Sequence, residues 1–158
     1  MIKILFVCTG NICRSPSAEA IFRHLVADAG LSHEFVADSV GLHGFHVGEP
    51  PDARAVAAAA RRGYEMQNLR ARRMQREDFD RFDLLLAMDD GHLSSLHSQC
   101  PPNRADRISL FLSVAPGCGE TDVPDPFYGT MEDFEQSLDL IEIGAREWLA
   151  HFQRQLAL

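Results

Sequence analysis

Ile2-Lys3-Ile4-Leu5-Phe6-Val7 runs straight into Cys8-Thr9-Gly10-Asn11-Ile12-Cys13-Arg14-Ser15-Pro16. The first six residues are apolar except for Lys3, the pattern of a strand buried on both faces of a parallel sheet. Beyond the loop, Ala18, Ile21, Phe22, Leu25, Val26 and Ala29 recur at helical spacing, with Pro16 suited to the first turn, Glu19 near the positive end and Gly30 as the stop. A strand, a loop and a helix in immediate succession open an α/β fold.

The rest of the chain repeats the alternation. Residues 34–39 predict a second, short strand, and after a Gly- and Pro-rich loop over residues 41–51 an alanine-rich helix opens near Asp52 and ends at Gly63. Leu84 to Met88 predicts the third strand, a helix follows Asp89, and Ile108 to Leu112 predicts the fourth strand. An irregular loop over about residues 113–129 is long enough to suggest function. The last helix begins at Thr130 with Asp133 as a capping partner, and Phe134, Leu138, Ile141, Ala145, Trp148, Leu149 and Phe152 share one face. The expected architecture is a single α/β domain over residues 1–158, a four-stranded parallel sheet flanked by helices on both faces, with ligands beyond the carboxyl ends of the strands.

Composition narrows the function. At 158 residues the chain suits one compact core, and 15 Lys and Arg against 23 Asp and Glu give a net charge of -8 that repels polyanions, so general nucleic-acid binding is excluded. The apolar start is too short to span a membrane and lacks a signal cleavage site, which predicts a cytoplasmic protein without a membrane partner. Cys8 and Cys13 lack a second close pair, because Cys100 and Cys118 stand far apart, so no structural zinc, other metal or cofactor is expected. His43 and His46 flank the expected cleft, the other five histidines carry no signal, and the arginines at 61, 62, 70, 72, 73 and 76 read as a solvated face.

The loop is the chemical centre. Backbone N–H groups entering a helix N-terminus converge on one point, and the helix dipole adds positive charge there. Gly10 and Asn11 tolerate positive φ, Arg14 offers a planar fork for two phosphate oxygens, and Thr9, Gly10, Asn11, Ile12, Cys13 and Ser15 complete a phosphate cradle. Beneath it the same field stabilises a thiolate at Cys8, to which Ser15 can donate a hydrogen bond.

With these residues in place, the sequence resembles the low-molecular-weight protein tyrosine phosphatases, marked by cysteine, five residues, arginine and serine at the N-terminus. The likeness extends to Ser39-Val40-Gly41, His46-Val47-Gly48-Glu49-Pro50, Asp78-Phe79-Asp80, Leu86-Ala87-Met88-Asp89 and Asp125-Pro126-Phe127-Tyr128. It implies that Cys8 attacks phosphorus to form a phosphocysteine, that Arg14 steadies the transferring group, and that Asp125 protonates the leaving phenol and then activates water. A protonated acid working with an ionised cysteine predicts a bell-shaped rate profile with an optimum at roughly pH 5 to 6.

The resemblance further implies a cleft lined by Ile12, Phe45, Phe127 and Tyr128, Ser39 as a support for Asn11, and Cys13 as a redox partner of Cys8. Substrates are expected to be phosphotyrosine proteins, with a bacterial tyrosine kinase as a candidate partner, and phosphate-like oxyanions to inhibit. Relatives acting on phosphoarginine tend to carry threonine where this chain has Ile12, which favours phosphotyrosine. Leu69 stands where many relatives carry a histidine that holds the loop asparagine, so one support of Asn11 is expected to be missing. An arsenate reductase and a silent phosphate-binding module are the competing readings; the first calls for a close downstream cysteine pair.

Overall fold

A computed structural model describes residues 1–157. Four strands, β1 (Ile2–Cys8), β2 (Phe35–Gly41), β3 (Leu84–Ala87) and β4 (Ile108–Leu110), form one sheet in the order β2-β1-β3-β4, and every pair is parallel. The helices are α1 (Arg14–Asp28), α2 (Ala53–Arg61), α3 (Asp78–Arg81), α4 (Asp90–Gln99) and α5 (Met131–Leu156). The fourth strand is shorter than expected, because Phe111 to Val114 turn into a 3-10 helix and Phe111 leaves the sheet for the core.

Side-chain alternation along β1 builds a core on each face of the sheet. Ile4, Phe6 and Cys8 face one core with residues of α1, α2 and α5, whereas Leu5 and Val7 face the other with Phe79 of α3 and Leu96 of α4. Phe6 is fully buried and meets Phe22 and Phe111 at ring separations of 5.9 Å, contacts worth about 0.5–1.5 kcal/mol each beyond their area. Asp52 caps α2 by accepting the Arg54 N–H, and the capping box of Thr130 and Asp133 opens α5.

Gly144 shows how tightly α5 sits on the sheet. A Cβ there would stand 2.6 Å from Cζ of Phe111 and closer still to Cε2, in a ring that is fully buried. Overpacking of this kind costs about 1–3 kcal/mol, against a helix-propensity gain of about 1 kcal/mol for replacing glycine by alanine. Gly144→Ala is therefore expected to lower the melting temperature, by roughly 2–4 °C for each kcal/mol of net loss; thermal denaturation checks this, and an equal or higher Tm would refute the tight fit.

Three local expectations are corrected. The arginine stretch is not simply a solvated face: Arg62 pairs with Glu135, Asp139 and Glu142 on α5, and Arg72 with Asp38 at 2.9 Å and the buried Asp78 at 3.0 Å. Glu19 does not serve the helix start but is buried, accepting from Ser39 Oγ at 2.7 Å and pairing with Arg23 at 2.9 Å. Of the two loop residues expected at positive φ, only Asn11 takes it, at +60°.

Candidate active site

The chain turns from β1 into β2 on one side of the sheet and then into β3 on the other, so the switch point lies at the carboxyl ends of β1 and β3. Cys8 ends β1, Asp89 follows β3, and the segment carrying Asp125 follows β4. A cleft of about 350 Å³ opens there, lined by Cys8, Thr9, Gly10, Ile12, Cys13, Arg14, His43, Phe45, His46, Asp125, Phe127 and Tyr128. All three residues expected to carry the chemistry meet in it.

The N–H groups of Gly10, Asn11, Ile12 and Cys13 donate to no protein acceptor among the described residues. No acidic side chain occupies the first turn of α1, so its positive end is not neutralised locally. These are the donors and the field that an oxyanion needs. Gly41 lets the end of β2 close against the loop: a Cβ there would stand 2.9 Å from Thr9 O and Gly10 C.

Asn11 holds its left-handed conformation by its side chain. Its Nδ2 donates to Ser15 Oγ at 2.8 Å and Ser39 Oγ at 3.0 Å, and its Oδ1 accepts the Arg72 N–H at 3.0 Å. Ser39 thus contacts Asn11, while Leu69 packs on the core and the Arg72 backbone N–H bonds Asn11 without any histidine. The Ser39 hydroxyl in turn donates a hydrogen bond to Glu19, whose carboxyl burial pushes above the usual range despite the nearby Arg23.

Cys8 is 3% exposed, and Ser15 Oγ lies 2.9 Å from its Sγ. Because Ser15 accepts from Asn11 and its alternative acceptor, Val40 O, is 3.4 Å away, its hydroxyl proton is free to point at sulfur. Cys13 is the N-cap of α1, and burial, followed by the charge of Asp52, pushes its thiol well up. Both cysteines are free thiols, as are Cys100 and Cys118, which stand outside the cleft.

Arg14 is almost fully buried, its Nη1 donating to Asp89 Oδ2 at 2.7 Å and Val123 O at 2.9 Å, with Asp125 Oδ2 3.5 Å from Nη2. Burial acts to raise Asp89, but the His92 N–H and Arg14 hold it below the usual carboxylate range. Asp125 is half exposed and accepts the Phe127 N–H at 3.1 Å. Arg54 of α2 ties down the following residues: Nη2 donates to Phe127 O at 2.9 Å, and the guanidinium lies over the rings of Phe127 and Phe134 at 5.6 and 4.6 Å.

At the rim, Phe45 is 84% and Tyr128 94% exposed, so neither is a core residue, while Phe127 also packs against the core. Sequence reading missed Arg54, the links of Asp89 and Val123 to Arg14, and above all His92, which is buried with Nε2 2.8 Å from Thr9 Oγ1. The available signal was local: Asp89 caps α4 through the N–H of His92 three residues on, at the end of a strand bordering the cysteine strand.

Parallel sheet, a loop of unpaired backbone N–H groups and a buried cysteine at its base together define an α/β domain with a cradle suited to an oxyanion. The family described as low molecular weight phosphotyrosine protein phosphatase matches residues 3–158. A low molecular weight protein-tyrosine-phosphatase of Streptomyces coelicolor is 45% identical over 157 residues, 98% of this chain and 95% of that protein. The crystal structure of YfkJ from Bacillus subtilis is 40% identical with a TM-score of 0.93, covering 98% of this chain and 96% of that one. A protein tyrosine phosphatase structure from Entamoeba histolytica with Hepes in the active site is 31% identical with a TM-score of 0.95, covering 98% and 99%. The chain belongs to the low molecular weight protein-tyrosine-phosphatases and is an enzyme of this class.

Proposed function

We propose that the enzyme hydrolyses phosphotyrosine and other aryl phosphate monoesters through a phosphocysteine on Cys8. The observation that carries this is the meeting of Cys8, Arg14 and Asp125 in one cleft around unpaired backbone donors. The Cys8 thiolate attacks phosphorus, the P–S bond forms as the P–O(aryl) bond breaks, and Asp125 gives its proton to the departing phenolate. Asp125, now a carboxylate, takes a proton from water, the water oxygen attacks phosphorus, and the P–S bond breaks to release inorganic phosphate and thiolate. Charge on the equatorial oxygens is met by the loop N–H groups and Arg14.

Ile12, Phe45, Phe127 and Tyr128 would flank the aryl group. Protein phosphotyrosine is the substrate class, a bacterial tyrosine kinase a candidate among them, and phosphate-like oxyanions would compete for the cradle. A cytoplasmic setting suits a nucleophile that must stay reduced. Oxidation of Cys8 by hydrogen peroxide to a sulfenic acid would let Cys13 close a disulfide with loss of water, and a thiol reductant would restore both. Cys100 and Cys118 stand outside the cleft, which disfavours an arsenate reductase relying on downstream cysteines.

Steady-state hydrolysis of p-nitrophenyl phosphate by freshly reduced protein tests the reading. A bell-shaped profile with a maximum at roughly pH 5 to 6 is expected. Phosphate binding without turnover at any pH would leave a silent binding module instead.

A further inference from the structure

Behind the cradle, His92 makes contacts that the chemistry above does not use. It is buried on the first turn of α4, with Nε2 2.8 Å from Thr9 Oγ1 and 3.5 Å from Arg14 Nη2. On its other side Nδ1 stands 3.2 Å from Asp89 Oδ1, off the line of a hydrogen bond, and is the one buried side-chain polar atom without a partner among the described residues. An orphaned buried polar atom costs about 1–3 kcal/mol, so its presence against two residues of the site calls for a reason.

We propose that His92 is a positioning residue for the phosphate cradle, its Nε2 fixing the Thr9 hydroxyl beside Arg14 Nη2. This rests on the phosphatase reading of the cleft. The neighbours dictate the tautomer: the Asp89 carboxylate favours a proton on Nδ1, and the Arg14 guanidinium disfavours one on Nε2. Nε2 is then an acceptor, the Thr9 hydroxyl donates to it, and the Thr9 oxygen keeps its free lone pairs towards Arg14 Nη2, 3.5 Å away. A second proton on the ring would turn Nε2–H against the guanidinium.

The ring resists that proton. Burial, helped by Arg14 and His43 and opposed by Asp89 and Asp125, pulls His92 down to about 4. Free histidine titrates near pH 6.5, so between about pH 6.5 and 4 the unfolded chain binds a proton that the folded one does not. His92 therefore subtracts stability as pH falls through this window, and Glu19, held above its ordinary value, acts in the opposite direction. Histidine here has a cost in acid that an uncharged residue would avoid.

The test compares wild type, His92→Gln and His92→Leu in p-nitrophenyl phosphate kinetics from pH 4 to 7 and in the thermal shift produced by inorganic phosphate, with circular dichroism confirming the fold. Loss of a positioning contact is expected to lower kcat/KM of His92→Leu by roughly 10- to 100-fold and to shrink its phosphate-induced shift. Glutamine, which can accept from Thr9 but does not titrate, is expected to recover most of both and to lose less activity than wild type between pH 5 and 4. Wild-type kinetics and phosphate shift in a folded His92→Leu, or equal losses in both variants, overturn the assignment. If His92→Leu does not fold, His92→Ala takes its place in the comparison: losses that glutamine recovers support the assignment, and wild-type kinetics and phosphate shift in a folded His92→Ala overturn it. The phosphate shift separates this question from the catalytic one, because a wild type that binds phosphate without turning over would refute the phosphatase reading while leaving the binding comparison valid.

Discussion

Cys8→Ser is expected to abolish measurable turnover, a loss of at least about 10⁴-fold, because nucleophile and intermediate disappear together. The substitution exchanges one atom in a site that is 3% exposed, so the fold and cradle should survive. The hydroxyl that replaces the thiol gives up its proton far less readily. The side-chain partner of Cys8 Sγ is the Ser15 hydroxyl, which donates hydrogen bonds but cannot serve as a base. Helix field and loop N–H groups can stabilise a thiolate once formed, yet they cannot deprotonate a serine. Phosphate should still raise the melting temperature of the variant, since the cradle is made of backbone N–H groups and Arg14. Several per cent of wild-type activity in Cys8→Ser would rule out the phosphocysteine; loss of both activity and phosphate binding would point to a damaged loop.

The sequence disclosed the parts of this enzyme that follow from local rules. A two-sided apolar strand leading into Gly10-Asn11 and a helix start announces both the parallel sheet and the cradle, because the same backbone geometry creates them. Thr130 with Asp133 marked the start of α5, and Asp52 with Gly63 bracketed α2. What stayed hidden depends on contacts between distant residues. Nothing near Arg72 says that its backbone N–H holds Asn11 or that its side chain joins Asp38 to Asp78. Nothing near Arg54 says that it clamps the residues after Asp125. Half-buried ion pairs look in sequence like a solvated surface, and that is why Arg62 and Arg72 do not stand out from the exposed Arg61, Arg70, Arg73 and Arg76. Gly10 tolerates positive φ but uses a different property: a Cβ there would meet the His46 ring at 3.0 Å.

Asp125→Asn should separate the two halves of the reaction. Asparagine keeps a carbonyl oxygen for the Phe127 N–H, so the local turn should hold, while the ion pair with Arg14 at 3.5 Å is lost. It can neither protonate a phenolate nor take a proton from water. General acid–base catalysis contributes about 10²- to 10⁴-fold, and the loss should reach that range with phenyl phosphate or phosphotyrosine. With p-nitrophenyl phosphate, whose leaving group departs without much help, phosphocysteine formation should suffer less than its hydrolysis. The variant is then expected to release a burst of nitrophenol and accumulate the phosphoenzyme, which rapid mixing and intact-protein mass spectrometry would detect. The limb of the pH profile set by the acid should vanish with phenyl phosphate. Inorganic phosphate should inhibit at least as well as before, because removing a carboxylate beside Arg14 leaves the guanidinium with less competition. Equal, small losses with both substrates and no burst would exclude Asp125 as the acid and direct attention to the two histidines lining the cleft, His43 and His46.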